Sequence, residues 1–179
     1  MKEEHSIAAP PAAVVGATAA WEALARSASE GHVEADARDR SHQLLAFDLH
    51  GVAYAVPMES VREIVRLRPI TPIPRVPEQI RGVISLRGEI VQVIDVRRRL
   101  GMPPGEPTRA SRILLVRGAG GTAAGLLVDA VTEVLRVPEG ALRPPVPGES
   151  AAVEAICRRG DQFVSVIALE KLLDVHGSS

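Results

Sequence analysis

Short aliphatic runs alternate with turn residues along the chain from residue 42 onward. Such runs predict β-strands, and two runs separated by a pair such as His50-Gly51 or Arg87-Gly88 predict β-hairpins. The expected hairpins join residues 43–50 to 52–56, residues 82–86 to 89–95, residues 112–117 to 124–129 and residues 153–157 to 162–167. The pattern therefore predicts a mainly β protein.

Other segments interrupt this strand pattern. Residues 58–66 suggest a brief helix-like or irregular link, and residues 96–100 and 169–175 suggest short helices. Residues 69–77 carry repeated prolines, which exclude a central strand. We expect an extended edge segment that wraps a barrel there, with a polyproline ligand as the alternative. Residues 102–108 contain three prolines, and this composition predicts a linker.

Parts of the first half of this region recur in the second half. Residues 61–66, 87–89 and 90–94 resemble residues 131–136, 159–161 and 163–167, in the same order. This repetition predicts two pseudo-repeated units, residues 42–105 and 110–176. Each unit is too small to bury a large core alone, so we expect the two to share or abut cores and to unfold together. Their junction is the expected place for a binding groove.

Residues 1–41 differ in composition from the rest of the chain. They are rich in alanine and lack the valine and isoleucine runs seen later, which predicts a flexible N-terminal tail. The alternative is a docking helix at residues 18–29 with Trp21 as its anchor. Pro10, Pro11 and Gly16 break the mildly apolar stretch, and no apolar run is long enough to cross a bilayer. We therefore expect a cytoplasmic protein without direct membrane insertion.

The overall composition narrows the class of function. Hydrophobic residues make up 46% of the chain but aromatic residues only 2%, so the apolar residues are mostly aliphatic. The 21 basic and 22 acidic residues give a formal net charge of -1. A nucleic-acid binder would show a basic surplus or a basic patch with stacking aromatics, so we expect no nucleic-acid partner.

The candidate catalytic and metal-binding residues indicate a protein that binds a partner and not an enzyme. The five histidines show no metal-site spacing, and the single cysteine, Cys157, lies in a strand-like run and suggests a buried thiol. Asp95 and Asp129 each end an apolar strand and are expected to cap helices rather than act as acids. Residues 118–121 indicate a hairpin turn and not a phosphate loop. Residues 97–99, three arginines, suggest a solvated face or a contact with an acidic partner. We expect no catalytic residue, no cofactor and no metal.

One continuous motif and several shorter ones carry a family resemblance. Residues 82–95 read Gly-Val-Ile-Ser-Leu-Arg-Gly-Glu-Ile-Val-Gln-Val-Ile-Asp, and they follow the motifs at residues 61–64 and 80–81 and precede the one at residues 127–134. Together these motifs resemble the CheW family of chemotaxis coupling proteins from about residue 42 to residue 175. The resemblance implies two small SH3-like five-stranded β-barrels packed side by side, and a non-enzymatic scaffold.

The resemblance also implies partners and contact residues. The partners are the regulatory domain of the chemotaxis histidine kinase and the cytoplasmic tip of chemoreceptors, which would recruit the protein to membrane-associated receptor arrays. By position, receptor contact falls on Val61, Glu63, Arg87, Gly88, Ile113 and Leu114. The kinase side falls on Gly82, Val131 and Val134. We also expect Glu63 and Arg87 to approach each other at the edge of the groove.

Two other functions stay open from the sequence alone. One is a coupling protein of a chemosensory pathway whose output is not motility. The other is a small β-barrel ligand-binding module or enzyme, which predicts a clustered acid–base pair in a deep pocket.

Overall fold

A computed structural model describes residues 41–118 and 121–174 of the chain. The chain separates into two units, Met1–Arg40 and Ser41–Ser179, and the described residues all belong to the second. The predicted tail and the alternative docking helix with Trp21 lie outside the described residues, except that the first strand begins at Ser41.

Short strands, 3₁₀ turns and two short helices follow one another along the described residues. The strands are β1 (Ser41–Leu49), β2 (Val52–Pro57), β3 (Val61–Arg66), β4 (Ile80–Leu86), β5 (Glu89–Asp95), β6 (Arg112–Arg117), β7 (Ala123–Val128), β8 (Ala130–Pro138), β9 (Val153–Arg159) and β10 (Gln162–Ile167). The helices are α1 (Val96–Arg99) and α2 (Leu169–Leu173), and the 3₁₀ turns are Met58–Ser60 and Glu139–Ala141. The four predicted hairpins are confirmed.

The strands form two five-stranded sheets. The first sheet has the order β8-β1-β2-β10-β9, and the second has the order β3-β6-β7-β5-β4. If β1 to β5 are exchanged one for one with β6 to β10, the first order becomes the second. The sequence repeat is therefore a two-fold relation between interleaved halves, because each half of the chain supplies strands to both sheets. The expected mainly β class with two five-stranded sheets is confirmed, but neither sheet is built from residues 42–105 or from residues 110–176 alone.

The hydrophobic core joins the two sheets. Its largest cluster combines Leu45 and Phe47 of the first sheet with Leu114 and Leu126 of the second, all of them buried. Each sheet also covers a smaller cluster of its own. Because aliphatic strands with one buried face must pack against another layer, the two sheets bury their central residues against each other.

We expect the described region to unfold in a single cooperative transition. Neither sheet can form from one half of the chain alone, and the central cluster belongs to both sheets. Differential scanning calorimetry should therefore give equal calorimetric and van't Hoff enthalpies. Two well-separated thermal transitions would contradict this prediction.

Of the two segments between the first and second hairpins, the prediction is wrong for most of residues 58–66 and agrees with the structure for residues 69–77. The helix-like link expected at residues 58–66 is wrong beyond Ser60, because Val61–Arg66 forms strand β3. The side chains of β3 do alternate in burial, but the charged Glu63 lies on the more buried side and Ile64 on the exposed side, so the hydrophobic pattern does not show the strand period. The extended segment at residues 69–77 does lie along an edge: Thr71 exchanges two backbone hydrogen bonds of 2.8 Å with Val83 of β4.

The three consecutive arginines are used inside the fold, so the solvated face expected for them is wrong. Arg97 binds both carboxylate oxygens of Asp129, and this hydrogen bonding raises the pKa of Arg97. Arg98 lies 3.7 Å from the carboxylate of Asp95. Arg99 donates to the backbone carbonyls of Leu172 and two neighbouring residues at the C-terminal end of α2, where cations are favoured.

The two strand-ending aspartates have different roles. Asp95 caps α1 as predicted, accepting a hydrogen bond of 3.3 Å from the Arg98 backbone. Asp129 caps no helix: it accepts a hydrogen bond of 2.7 Å from the His50 backbone and holds Arg97. The capping role predicted for Asp129 is therefore wrong, because the chain continues after it into strand β8 and not into a helix.

Candidate partner-binding surface

The tip of the β4–β5 hairpin has a tightly defined backbone. Leu86 and Glu89 face each other across the strands, so Arg87 and Gly88 form a two-residue turn. Both turn residues have positive φ angles, 50° and 84°, as hairpin turns with the native strand twist require. This turn holds Arg87 at an outer corner of the second sheet.

Arg87 forms the expected ion pair with Glu63. The Arg87 Nη2 and Glu63 Oε1 atoms lie 3.1 Å apart. Glu63 lies on β3 and Arg87 follows β4, and these two strands are the opposite edges of the second sheet. The pair thus connects the two edges and helps to close the sheet into a barrel. Because the Arg87 side chain is 76% exposed, the pair contributes at most about 1 kcal/mol to stability.

A second ion pair occupies the equivalent place in the first sheet. Arg159 Nη1 and Glu133 Oε1 lie 3.0 Å apart, and they belong to β9 and β8, the two edges of that sheet. Arg159 also donates a hydrogen bond to the side chain of Gln162. This pair was not predicted, although its segments match residues 61–66 and 87–89 in the sequence repeat. Applying the predicted Glu63–Arg87 contact to the repeat would have found it.

Exposed apolar side chains lie close in sequence to the residues of each ion pair. Ile64 follows Glu63 and Ile90 lies three residues after Arg87; they are 40% and 78% exposed. In the first sheet, Val134 follows Glu133 and Phe163 follows Gln162, and they are 48% and 67% exposed. Apolar side chains next to oriented charges are typical of protein-binding surfaces.

A groove lies where the two sheets meet. It has a volume of about 1010 Å³ and runs between β5, the turn joining β6 to β7, and helix α2. Ile90 and Gln92 line one side, and Leu169 and Leu173 line the other. Since Ile90 follows the Arg87-Gly88 turn closely, the groove begins next to the hairpin tip. Residues from both halves of the chain line this groove.

Three of the residues assigned to partners from the sequence are not accessible. Ile113 and Leu114 are fully buried in the core, so their side chains offer no surface for a direct receptor contact. Gly82 is buried as well. Its φ angle is 142°, and a Cβ atom there would lie 2.2 Å from the Thr71 carbonyl oxygen. These three residues shape the surface from below, whereas Val61 and Val131 are half-buried and Val134 is exposed.

The chemistry of the described residues is limited. Among residues 41–118 and 121–174, no three His, Cys, Asp or Glu side chains are grouped to hold a metal ion. Cys157 is buried as predicted, and its burial raises the pKa of the thiol, which disfavours the nucleophilic thiolate. None of the helices in this part of the chain is long and apolar enough to span a membrane.

Comparison with known proteins places this architecture in a family. The model of the CheW-like domain matches residues 43–176, most of the chain. The chain belongs to the CheW family. The probable chemotaxis protein CheW of Rhizobium etli is 36% identical over 135 residues, which cover 73% of this chain and 86% of that protein. Chemotaxis protein CheW of Rhizobium meliloti is 35% identical over 128 residues, 72% of this chain and 78% of that protein.

A solved structure of a CheW protein has the same fold. The crystal structure of the scaffolding protein TtCheW from Thermoanaerobacter tengcongensis superposes with a TM-score of 0.72 and 37% sequence identity. The superposition covers 77% of this chain and 96% of TtCheW. The CheW fold therefore extends over almost the whole of TtCheW and the described part of this chain.

Proposed function

We propose that this CheW-family chain is a chemotaxis adaptor that couples chemoreceptors to a chemotaxis-type histidine kinase without catalysing a reaction. The family match over residues 43–176 and the likeness to the scaffolding protein TtCheW support the adaptor role. The observation that carries the proposal is the Glu63–Arg87 ion pair at a corner of the second sheet, with exposed apolar side chains close to it in sequence and a groove that Ile90 lines.

The receptor binds at the Glu63–Arg87 corner in this proposal. The cytoplasmic tip of a chemoreceptor is a helical coiled coil, which presents apolar residues beside charged ones. Ile90 and the groove next to it offer apolar surface, and Arg87 offers an oriented charge. Val61 and Gly88 complete the contact, while Ile113 and Leu114 support the sheet beneath it.

The kinase regulatory domain binds through Val131 and Val134 in this proposal. Val134 is 48% exposed and follows Glu133 of the Glu133–Arg159 pair, so the first sheet offers a second surface with the same kinds of side chain as the first. Gly82 acts indirectly, because it allows residues 69–77 to approach β4. With receptor and kinase both bound, the protein would be held at a membrane-associated receptor array.

The experiment that tests this function is co-sedimentation with receptor-containing membranes, with and without the kinase. Purified chain should pellet with these membranes and not with receptor-free membranes, and the kinase should pellet only when the chain is present. A chain that stays in the supernatant with receptor-containing membranes, whether or not the kinase is present, would refute the adaptor function.

A chain beginning at Ser41 should co-sediment as well as the full chain. Strand β1 begins at Ser41 and the family match begins at residue 43, so the coupling surfaces lie after the predicted tail. Circular dichroism would show that the shortened chain is folded. A folded chain that no longer binds receptor and kinase would instead identify residues 1–40 as a docking element.

A further inference from the structure

An arginine-lined cleft lies at the end of strand β3, on the second sheet. Its volume is about 750 Å³, and it is lined by Arg66, Leu67, Pro107, Thr108, Arg109 and Arg112. Arg66 and Arg112 are direct cross-strand partners in the β3–β6 ladder. Like charges placed opposite each other in a sheet are destabilising, so the arrangement has an energetic cost within the free protein.

The acidic side chains that the structure describes do not pair with these arginines. Within residues 41–118 and 121–174, no acidic side chain lies within 4.0 Å of the guanidinium groups of Arg66, Arg109 or Arg112. Glu106 is close in sequence, but its carboxylate lies 3.9 Å from Arg81. The formal net charge of the whole chain is only -1, so the local excess of three positive charges is not a general property of its surface.

The loop that carries two of these arginines is held by its own hydrogen bonds. The Nη1 atom of Arg112 lies 2.8 to 3.0 Å from the backbone carbonyl oxygens of Arg109, Ala110 and Ser111. The Ser111 hydroxyl accepts a hydrogen bond of 2.8 Å from the Thr108 backbone. These hydrogen bonds hold the loop backbone and the Arg112 side chain in place before any partner arrives, which lowers the entropic cost of binding.

We propose that this cleft binds an acidic segment of a protein partner, with clustered carboxylates facing Arg66, Arg109 and Arg112. Guanidinium groups match carboxylates in a two-point geometry, and such charge-assisted hydrogen bonds are stronger than neutral ones. The cleft is much larger than a single small anion, since one water molecule occupies about 30 Å³. A peptide segment with several carboxylates fits both the volume and the charge. This contact is separate from the proposed receptor and kinase sites and does not depend on them.

The test is a titration of the full ¹⁵N-labelled chain with a peptide of six glutamates, followed by NMR. A peptide of six glutamines serves as the uncharged control. We expect saturable shifts of backbone amides at Leu67 and in residues 108–112 with the glutamate peptide, and none with the glutamine peptide. The double variant Arg66→Gln/Arg109→Gln should weaken binding by at least about tenfold, because each lost contact is a charge-assisted hydrogen bond. Arg112 is left unchanged because it holds the loop.

A matched control separates the cleft from general charge attraction. Arg62 and Arg136 are exposed and have no ion-pair partner among the described residues, so Arg62→Gln/Arg136→Gln removes the same charge elsewhere. This control should bind the peptide like the unaltered chain. Equal weakening by both double variants, or shifts spread over the whole surface, would overturn the proposal. Binding to phosphatidylglycerol vesicles or to inorganic phosphate without binding to the glutamate peptide would also overturn it.

Discussion

Arg87→Ala is expected to weaken binding to receptor-containing membranes by about thirtyfold to several thousandfold. Truncating one partner of a charge pair that becomes desolvated in a complex costs about 2–5 kcal/mol, and each 1.4 kcal/mol is a tenfold change in Kd. In the free protein the Arg87 side chain is 76% exposed, so the unfolding free energy should fall by no more than about 1 kcal/mol. Co-sedimentation across a range of protein concentrations measures the first effect, and thermal unfolding measures the second.

The repeat provides a matched control for this prediction. Arg159→Ala removes the equivalent ion pair from the first sheet and should leave receptor binding unchanged. Glu63→Ala should weaken receptor binding, and adding it to Arg87→Ala should weaken it little further, because the two side chains act as one pair. Arg87→Lys keeps the charge without the planar guanidinium group and should recover only part of the binding. Unchanged receptor binding by folded Arg87→Ala would refute the proposed contact, and a large loss of stability would make Arg87 a structural residue.

Gly82→Ala is expected to destabilise the protein by about 2–6 kcal/mol. The added Cβ would lie 2.2 Å from the Thr71 carbonyl oxygen, so the backbone pairing between Thr71 and Val83 must shift. An unfavourable φ of 142° and overpacking each cost about 1–3 kcal/mol. Chemical denaturation should show the loss directly, and Tm should fall by roughly 2–4 °C for each kcal/mol.

Two other glycines separate the contributions to this effect. Gly88 also has a positive φ angle, but a Cβ there would meet nothing within 4 Å, so Gly88→Ala carries the conformational cost alone. Gly140 combines open space with an ordinary φ, and Gly140→Ala should be close to neutral. We expect Gly82→Ala to weaken kinase binding only as far as it displaces residues 69–77 from strand β4. A Gly82→Ala protein of unchanged stability that fails to bind kinase would show that Gly82 makes a direct contact.

The repeated corner has a consequence for how the protein can assemble. Each sheet presents an ion pair between its edge strands and exposed apolar side chains close to it in sequence. The two sheets are related by exchange of the chain halves, so under the proposed function two similar surfaces would bind two different partners. Differences such as Ile90 against Phe163 would then determine which partner each surface binds.

The sequence pattern was sufficient to predict the four hairpins and the contact between Glu63 and Arg87. Turn pairs such as His50-Gly51 and Arg87-Gly88 determine hairpin register over a few residues, and short-range chemistry of this kind is readable in the sequence. The sequence repeat predicted that two similar units share a core. The resemblance of residues 61–64, 80–95 and 127–134 to the CheW family predicted the family and its fold. Strand β3 was missed because Glu63 lies on its more buried side and Ile64 on its exposed side, which masks the apolar–polar alternation on which strand prediction depends.

Tertiary structure alone decided which strands pair across the two halves and which assigned residues reach the surface. The exchange of strands between the sheets depends on packing between segments far apart in the chain, for which no local pattern exists. The same long-range packing buries Ile113 and Leu114, brings Thr71 against Gly82, and turns Arg97 and Asp129 into an internal pair. The type of a residue does not determine whether its side chain faces solvent or the core. Its burial depends on which distant segments the fold packs against it.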